Sequence, residues 1–233
     1  MNEIPIEASW EGPQQCECCG IRDLVLFSAL KNEDFAIIHE QIDEHRYEKG
    51  EFLYMEGEPA NHVFTVREGI VKLVHYSENG DESIVRLLKR GDVTGLESLT
   101  GQTYQQTAIV IDNALTCRIP KTVINELSQK LPHFQQELFK RWQNSDDEAR
   151  AWLTELRTGS ITSRIARLLL RLAQDEPVAD IFIPSLNDIG AIVATKPESA
   201  SRTMAKFKRI GLISRVNAHR FKLDIDGIRS LIN

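Results

Sequence analysis

Between Ser185 and Phe207 the apolar residues fall into two short helical patterns separated by a break. Leu186, Ile189, Ile192 and Val193 stand at i, i+3, i+6 and i+7, giving one apolar face to a first helix over Leu186 to Val193. A second pattern runs from Pro197 to about Ile210, with Met204 and Phe207 on one side and Glu198, Ser201 and Arg202 on another. Thr195-Lys196-Pro197-Glu198 has the order of a capping box, and proline is tolerated in a first helical turn, where its missing N–H has no partner to lose. Two short helices joined by a tight turn predict a helix-turn-helix, in which the start of the second helix reads DNA bases. Glu198 alone is explained equally well as a cap, and Arg202 alone as a solvated charge. What favours base reading is that the three share one face. Arg donates twice to guanine, Glu accepts from the cytosine amino group, and Ser bonds either way. Lys196, Ser199 and Lys206 lie beside them as further candidate DNA contacts.

Upstream the period changes. A short helix is expected over Asn32 to Ile42. From Tyr47 the chain reads as short strands: Glu51–Tyr54, His62–Arg67, Ile70–Tyr76, Glu82–Leu88, Thr107–Ile111 and Leu115–Ile119. Gly50, Gly57, Gly69, Asn79-Gly80, Gly91 and Gly101 punctuate them, and Asn-Gly between strands is a hairpin signal. Six or more strands at this spacing predict an antiparallel barrel or roll. A long helix follows from Phe134 to about Leu156. Along it Leu138, Trp142, Ser145, Ala149, Trp152 and Leu156 alternate four- and three-residue steps, the a/d seam of a coiled coil. The seam suits a homodimer, which would present two reading helices to a palindromic site. The acidic run Asp146-Asp147-Glu148 interrupts it and would repel its partner copy, making the dimer conditional on a signal. A lone helix lying on the barrel is the simpler alternative. Thr158-Gly159-Ser160 reads as a hinge and Ile161 to Ala173 as an amphipathic helix. Leu212–Val216 and Arg220–Leu223 read as a wing whose Arg215, His219 and Arg220 reach phosphates. The expected organisation is an arm (1–25), a sensory β-roll (26–132), a dimerisation helix (133–158) and a winged helix-turn-helix (159–233), an α+β fold.

Charge changes this picture once it is divided. The net charge of −6 is unpromising for a DNA binder. From Thr158 onward, however, 12 Lys/Arg stand against 7 Asp/Glu, a balance of +5, leaving −11 on the remainder. Phosphate contact is therefore expected at the C-terminal module alone. No apolar run approaches ~18 residues, so no membrane span is expected, and the acidic start of the chain lacks the order of a signal peptide. A cytoplasmic protein is expected, in which Cys16, Cys18, Cys19 and Cys117 serve as ligands or redox thiols rather than disulfides. The sequence shows no nucleophile–base–orienter set, phosphate-cradling glycine loop or His-Glu metal motif, so no catalysis is expected. His39, His45, His62, His75 and His133 show no paired spacing.

The order of these pieces resembles the bacterial CRP/FNR superfamily of transcription regulators. Lys49-Gly50-Glu51, Val66-Arg67-Glu68-Gly69, Glu78-Asn79-Gly80-Asp81-Glu82, Gly91-Asp92 and Glu198 to Arg202 carry the resemblance, which extends from Cys16 to the end. The chain looks closest to the oxygen-responsive FNR branch. There, residues matching Glu198, Ser201 and Arg202 read half-sites like TTGAT, and RNA polymerase is an implied partner. Most relatives have Gly where Ala194 stands, so a left-handed backbone there would cost ~1 kcal/mol. In the cyclic-AMP-binding branch a Gly-Glu pair and an arginine clamp the ligand. Here Gly95-Leu96-Glu97-Ser98 and Gln106-Thr107-Ala108 stand instead, without the arginine, so cyclic-nucleotide binding is not expected. The FNR branch holds an oxygen-labile [4Fe–4S] cluster on three arm cysteines and one in the barrel. Cys117 matches the barrel ligand and Cys16 and Cys19 the first Cys-x-x-Cys, but Val25 stands where the last arm cysteine belongs. Cys18 is an extra thiol that would have to substitute. A cluster, direct thiol chemistry, a zinc or haem site, and a small organic effector with incidental cysteines all remain open.

Overall fold

The computed structural model describes residues 19, 26–38, 42–77, 79–80, 82–174, 180–217 and 220–232. These fall into two compact units. One comprises the residues up to His75 together with Leu87–Asp147; the other comprises Tyr76–Arg86 and the chain from Glu148 onward.

The first unit is an antiparallel roll. Strands β1 (Asp43–Tyr47), β2 (Phe52–Tyr54), β3 (His62–Tyr76), β4 (Glu82–Leu88, of which residues 82–86 count with the second unit), β5 (Val93–Thr94) and β6 (Thr107–Pro120) form one sheet in the order β1-β6-β3-β4, with β2 on β6 and β5 on β3. The four segments expected at His62–Arg67, Ile70–Tyr76, Thr107–Ile111 and Leu115–Ile119 are two long strands. Gly69 does not end the first of them. It sits where the β3–β6 register shifts, and a Cβ on it would stand 2.2 Å from the Asn113 carbonyl oxygen. A glycine inside a strand marks a bulge or a close backbone approach as readily as a turn. Asn79-Gly80 does turn the chain between β3 and β4, with Gly80 at φ 81°. The helix expected over Asn32 to Ile42 is a 3₁₀ turn, Asn32–Ile37, and the strand expected from Glu51 begins at Phe52.

Helix α1 (Lys121–Lys130) follows β6 directly, and α2 spans Pro132–Glu155, its proline opening the helix two residues earlier than expected. The 3₁₀ segments Leu26–Ala29 and Asn32–Ile37, helix α1 and Phe134 of α2 bury a common apolar cluster with Val63 and Ile119. Leu138 and Cys117 pack on its edge.

In the second unit α3 (Ile161–Ala173) buries Ile165, Ala166, Leu168, Leu169 and Leu172, and Ser160 caps it by accepting from the Ser163 amide. Next come β7 (Asp180–Phe182), α4 (Leu186–Ile192), α5 (Pro197–Arg209), β8 (Ile213–Arg215), β9 (Arg220–Leu223) and α6 (Ile225–Arg229). The wing is a three-stranded antiparallel sheet, β7-β9-β8, one strand more than expected. The last turns of α2 belong to this unit. Trp152 and Leu156 are buried, and the Arg171 guanidinium lies 6.0 Å from the Trp152 ring centre. Two members of the expected seam are therefore covered by their own chain. No helix among the described residues is long and apolar enough to cross a membrane.

Candidate nucleic-acid interface and thiol site

Helix α5 is rotated by what it buries. Ala200, Met204 and Phe207 face inward, and burying each of the two larger side chains is worth ~1.5–3 kcal/mol, more than any propensity difference along the helix. That leaves Glu198, Ser201 and Arg202 outward, all exposed, as their spacing implies. Arg202 donates through Nε to the Glu198 carbonyl and through Nη2 to Ser199 Oγ, both at 3.4 Å, contacts long enough to yield to a better acceptor. Among the described residues the Glu198 carboxylate and the Ser201 hydroxyl have no partner. Lys196 and Lys206 are exposed, and Ser199 is half-buried. Lys208, on the same last turn, lies over the Phe221 ring at 5.1 Å and so braces the wing.

The capping box expected at Thr195 does not form. The N-cap is Lys196, which makes no side-chain cap bond. Ser185 caps α4 instead, its hydroxyl accepting from the Asp188 amide at 3.1 Å. The turn between the helices is tight. Ala194 is at φ 51°, the left-handed conformation anticipated there. A Cβ on Gly190 would come within 2.8 Å of the Thr195 carbonyl oxygen, so only glycine lets the turn close on α4. In the wing, Arg215 Nε donates to the Asn217 carbonyl at 2.8 Å, and the Arg220 amide to Asn217 Oδ1 at 2.9 Å. Arg215 is exposed and Arg220 half-buried, and His219 lies outside the described residues.

Along α2 the exposed large apolar side chains are Phe139 (66%), Trp142 (36%) and Leu153 (43%). With Asp146 and half-buried Ala149 they step by three and four residues, a heptad stripe offset from the expected one and sharing Trp142 and Ala149 with it. Leu138 and Ser145 are half-buried.

Within the roll Tyr54, Phe64 and Tyr104 are buried among aliphatic side chains such as Leu53, Val66, Val71 and Leu88. Tyr54 and Tyr104 stack at 3.9 Å and 16°, the Tyr54 hydroxyl meets Thr94 Oγ1 at 2.5 Å, and the Tyr104 hydroxyl donates to the His62 carbonyl at 2.9 Å. Gly95 lies against this stack, since a Cβ there would sit 3.3 Å from the Tyr104 ring. Burial raises the Glu97 carboxyl above the usual carboxylate range, opposed by backbone amides that hydrogen-bond its charged form.

Cys117 lies in β6 opposite Thr65 of β3 and Glu44 of β1, partly exposed at the edge of the apolar cluster. Cys19 is also a partly exposed free thiol. Cys16 and Cys18 lie outside the described residues, as does Val25. Among the described residues no three His, Cys, Asp or Glu side chains converge on a point that would hold a metal. Cys19 is tied by sequence to the cluster that Cys117 borders. Only residues 20–25 separate it from Leu26, which is buried in the cluster that Cys117 borders, a reach of at most ~25 Å. Beside that cluster Arg141 of α2 donates to the Glu137 carboxylate at 2.8 Å and to Ser28 Oγ at 3.3 Å.

Residues 44–130 match the cyclic nucleotide-binding domain family and residues 163–231 the Crp-like helix-turn-helix domain family. The chain is 30% identical over 208 residues to the transcriptional activator protein anr of Pseudomonas aeruginosa, covering 85% of this chain and 84% of that one. It is 23% identical over 206 residues to the fumarate and nitrate reduction regulatory protein of Vibrio cholerae, covering 85% and 82%. Among solved structures it resembles FixK2 from Bradyrhizobium japonicum (TM-score 0.75, 23% identity, 82% of this chain and 98% of that one). It also resembles a CRP-family transcriptional regulator from Thermus thermophilus (TM-score 0.70, 26% identity, 81% and 96%). With a β-roll, a long helix and a winged helix-turn-helix in one order, and with these relatives, the chain belongs to the CRP/FNR family of DNA-binding transcription regulators, on its FNR-like branch.

Proposed function

We propose that this regulator works as a homodimer that reads a palindromic FNR-like site and answers a redox signal through its cysteines. The observation that carries the DNA half is the outward face of α5. It presents a carboxylate, a hydroxyl and a guanidinium in adjacent positions, with the opposite face anchored in the core. Arg202 would donate to guanine, Glu198 accept from cytosine and Ser201 bond adaptably, while Lys196, Ser199, Lys206, Arg215 and Arg220 supply phosphate contacts. Two copies would meet along Phe139, Trp142, Asp146, Ala149 and Leu153, which sets the half-site spacing. Asp146 places like charges at the centre of that stripe and keeps the association weak until the helices are held together by other means. RNA polymerase is the partner such a dimer would engage.

The signal half rests on where Cys117 lies. Its strand borders the cluster that buries Leu26, Phe35 and the first turn of α2, so a chemical change at the thiols would be felt at Phe134 and Leu138, one turn from the seam. Cys16, Cys18, Cys19 and Cys117 are the thiolate donors that a [4Fe–4S] cluster takes, and when bound it would supply an oxygen-labile link between arm and barrel. The test is iron and acid-labile sulfide analysis with an absorption spectrum on anaerobically purified protein. The expected result is about four irons per chain and a band at roughly 400 nm that bleaches in air. A colourless protein with one iron or fewer per chain rejects the cluster and leaves direct thiol chemistry, read as a change in DNA affinity with oxidant.

Cyclic nucleotide has no part in this reading. Gly95 lies against the Tyr104 ring, and Gln106-Thr107-Ala108 supplies no arginine to clamp an anion. Millimolar cyclic AMP is expected to leave the thermal midpoint unmoved. A ligand present at a hundred times its Kd would add ~2.7 kcal/mol and raise the midpoint by several degrees, which would refute the assignment.

A further inference from the structure

We propose that Arg164, a residue of α3, positions the reading helix by clamping the turn between α4 and α5. The inference rests on the reading that α5 contacts DNA.

The turn is short of donors. The Ile189 and Gly190 carbonyls are taken by the Val193 and Thr195 amides at 3.0 and 2.9 Å. Further along, the carbonyls of Val193 and Ala194 come at a helix end, where backbone groups have no intrahelical partner. Residue 197, four beyond Val193, is proline and has no N–H to return along the chain. Arg164 Nη1 fills this gap from a different helix, donating to the Val193 carbonyl at 2.5 Å and to the Ala194 carbonyl at 3.2 Å. Among the described residues its buried Nε has no acceptor, and the turn carbonyls are what orient the guanidinium.

The clamped residue is the one whose backbone is least at ease. Ala194 sits at φ 51°, where a side chain crowds the following carbonyl, in a turn so close that the Thr195 carbonyl oxygen lies 2.8 Å from where a Cβ on Gly190 would stand. One cation spanning two successive carbonyls holds that conformation. Glu198 follows four residues later, so the position of Ala194 sets the origin of the helix that carries Glu198, Ser201 and Arg202. Arg164 itself need not touch DNA. The substitution that should make it dispensable is Ala194→Gly, because glycine adopts the left-handed conformation without a clamp.

The test is a fluorescence-anisotropy titration of a duplex carrying two TTGAT-type half-sites with full-length wild type, Arg164→Leu, Ala194→Gly and the double variant. Losing a charged donor from two carbonyls should weaken binding by Arg164→Leu at least about tenfold. Ala194→Gly alone should bind within about twofold of wild type, and the double variant within about threefold, because the second change relieves what the first released. Arg164→Lys, which keeps one cationic donor, should recover part of the loss. If Arg164→Leu fails to fold in a far-UV melt, Arg164→Gln carries the same comparison. Binding by the Leu or Gln variant within twofold of wild type overturns the clamp. So does a loss of equal size whether residue 194 is alanine or glycine, since that would make Arg164 an ordinary stabilising residue. If wild type itself ignores the duplex, the DNA-reading role fails and this inference with it. If wild type binds and the variants match it, this inference alone fails.

Discussion

Replacing Phe139 and Trp142 together by Asp should leave a folded monomer and weaken binding to a duplex with two half-sites by about 10²–10³-fold. Phe139 is 66% exposed and Trp142 36%, and neither belongs to the buried core, so the change removes little of the chain's own packing. In a symmetric pair each would lie near its copy, and aromatic anchors of this kind carry most of an interface's energy. Four carboxylates brought together across the two-fold would also repel, adding to Asp146. Specific sites exceed non-specific DNA by ~4–10 kcal/mol, and a monomer keeps the base contacts of one half-site only. Half of that difference is what the duplex titration should lose. Sedimentation equilibrium reads the association state directly. A double Asp variant that remains a dimer would remove Phe139 and Trp142 from the seam.

That seam shows what a single sequence does and does not reveal. Two apolar stripes coexist along α2, one through Leu138 and Trp152 and on to Leu156 just past its end, and one through Phe139 and Leu153, with Trp142 and Ala149 common to both. Periodicity alone cannot say which stripe the chain covers for itself. Trp152 and Leu156 are buried in the second unit, where Arg171 reaches Trp152 and pairs with Glu155 at 2.9 Å, and nothing in the local pattern announces that contact. The helix-turn-helix was legible because its two helices obey a 3.6-residue period and end at a turn and a proline. Its cap was not, because a capping-box order at Thr195 lost to the backbone geometry that begins α5 at Pro197. The strands were legible in place but not in length, since Gly69 is used as a bulge and reads from sequence like a turn. Arg164 had no sequence signal, because its role exists only once the turn carbonyls of Val193 and Ala194 come round to face α3. Cys117 was legible as a strand residue, while Cys16 and Cys18 lie outside the described residues.

The second large effect concerns the reading face. Arg202→Ala should lower specific affinity by ~1–3 kcal/mol and relax discrimination at one base pair, while leaving non-specific binding nearly unchanged. The guanidinium is exposed, and its two contacts within the helix are long, so the cost of truncation falls on the bound state rather than on folding. A bidentate contact to guanine is worth about that much against the wrong base. A phosphate contact would instead weaken every duplex alike and flatten the salt dependence. Glu198 and Ser201 would each act on a different base pair. The measurement that tests the central claim most directly is an anisotropy titration of wild type and Arg202→Ala, in reduced and oxidised forms. The duplexes are a TTGAT-type palindrome, the same palindrome with each base pair swapped in turn, and a scrambled sequence. Wild type is expected to prefer the palindrome in one redox form, and Arg202→Ala to become indifferent to one swap it should otherwise feel. Wild type binding the palindrome no better than the scrambled duplex in both forms, or a variant with undiminished discrimination at every position, would contradict that claim.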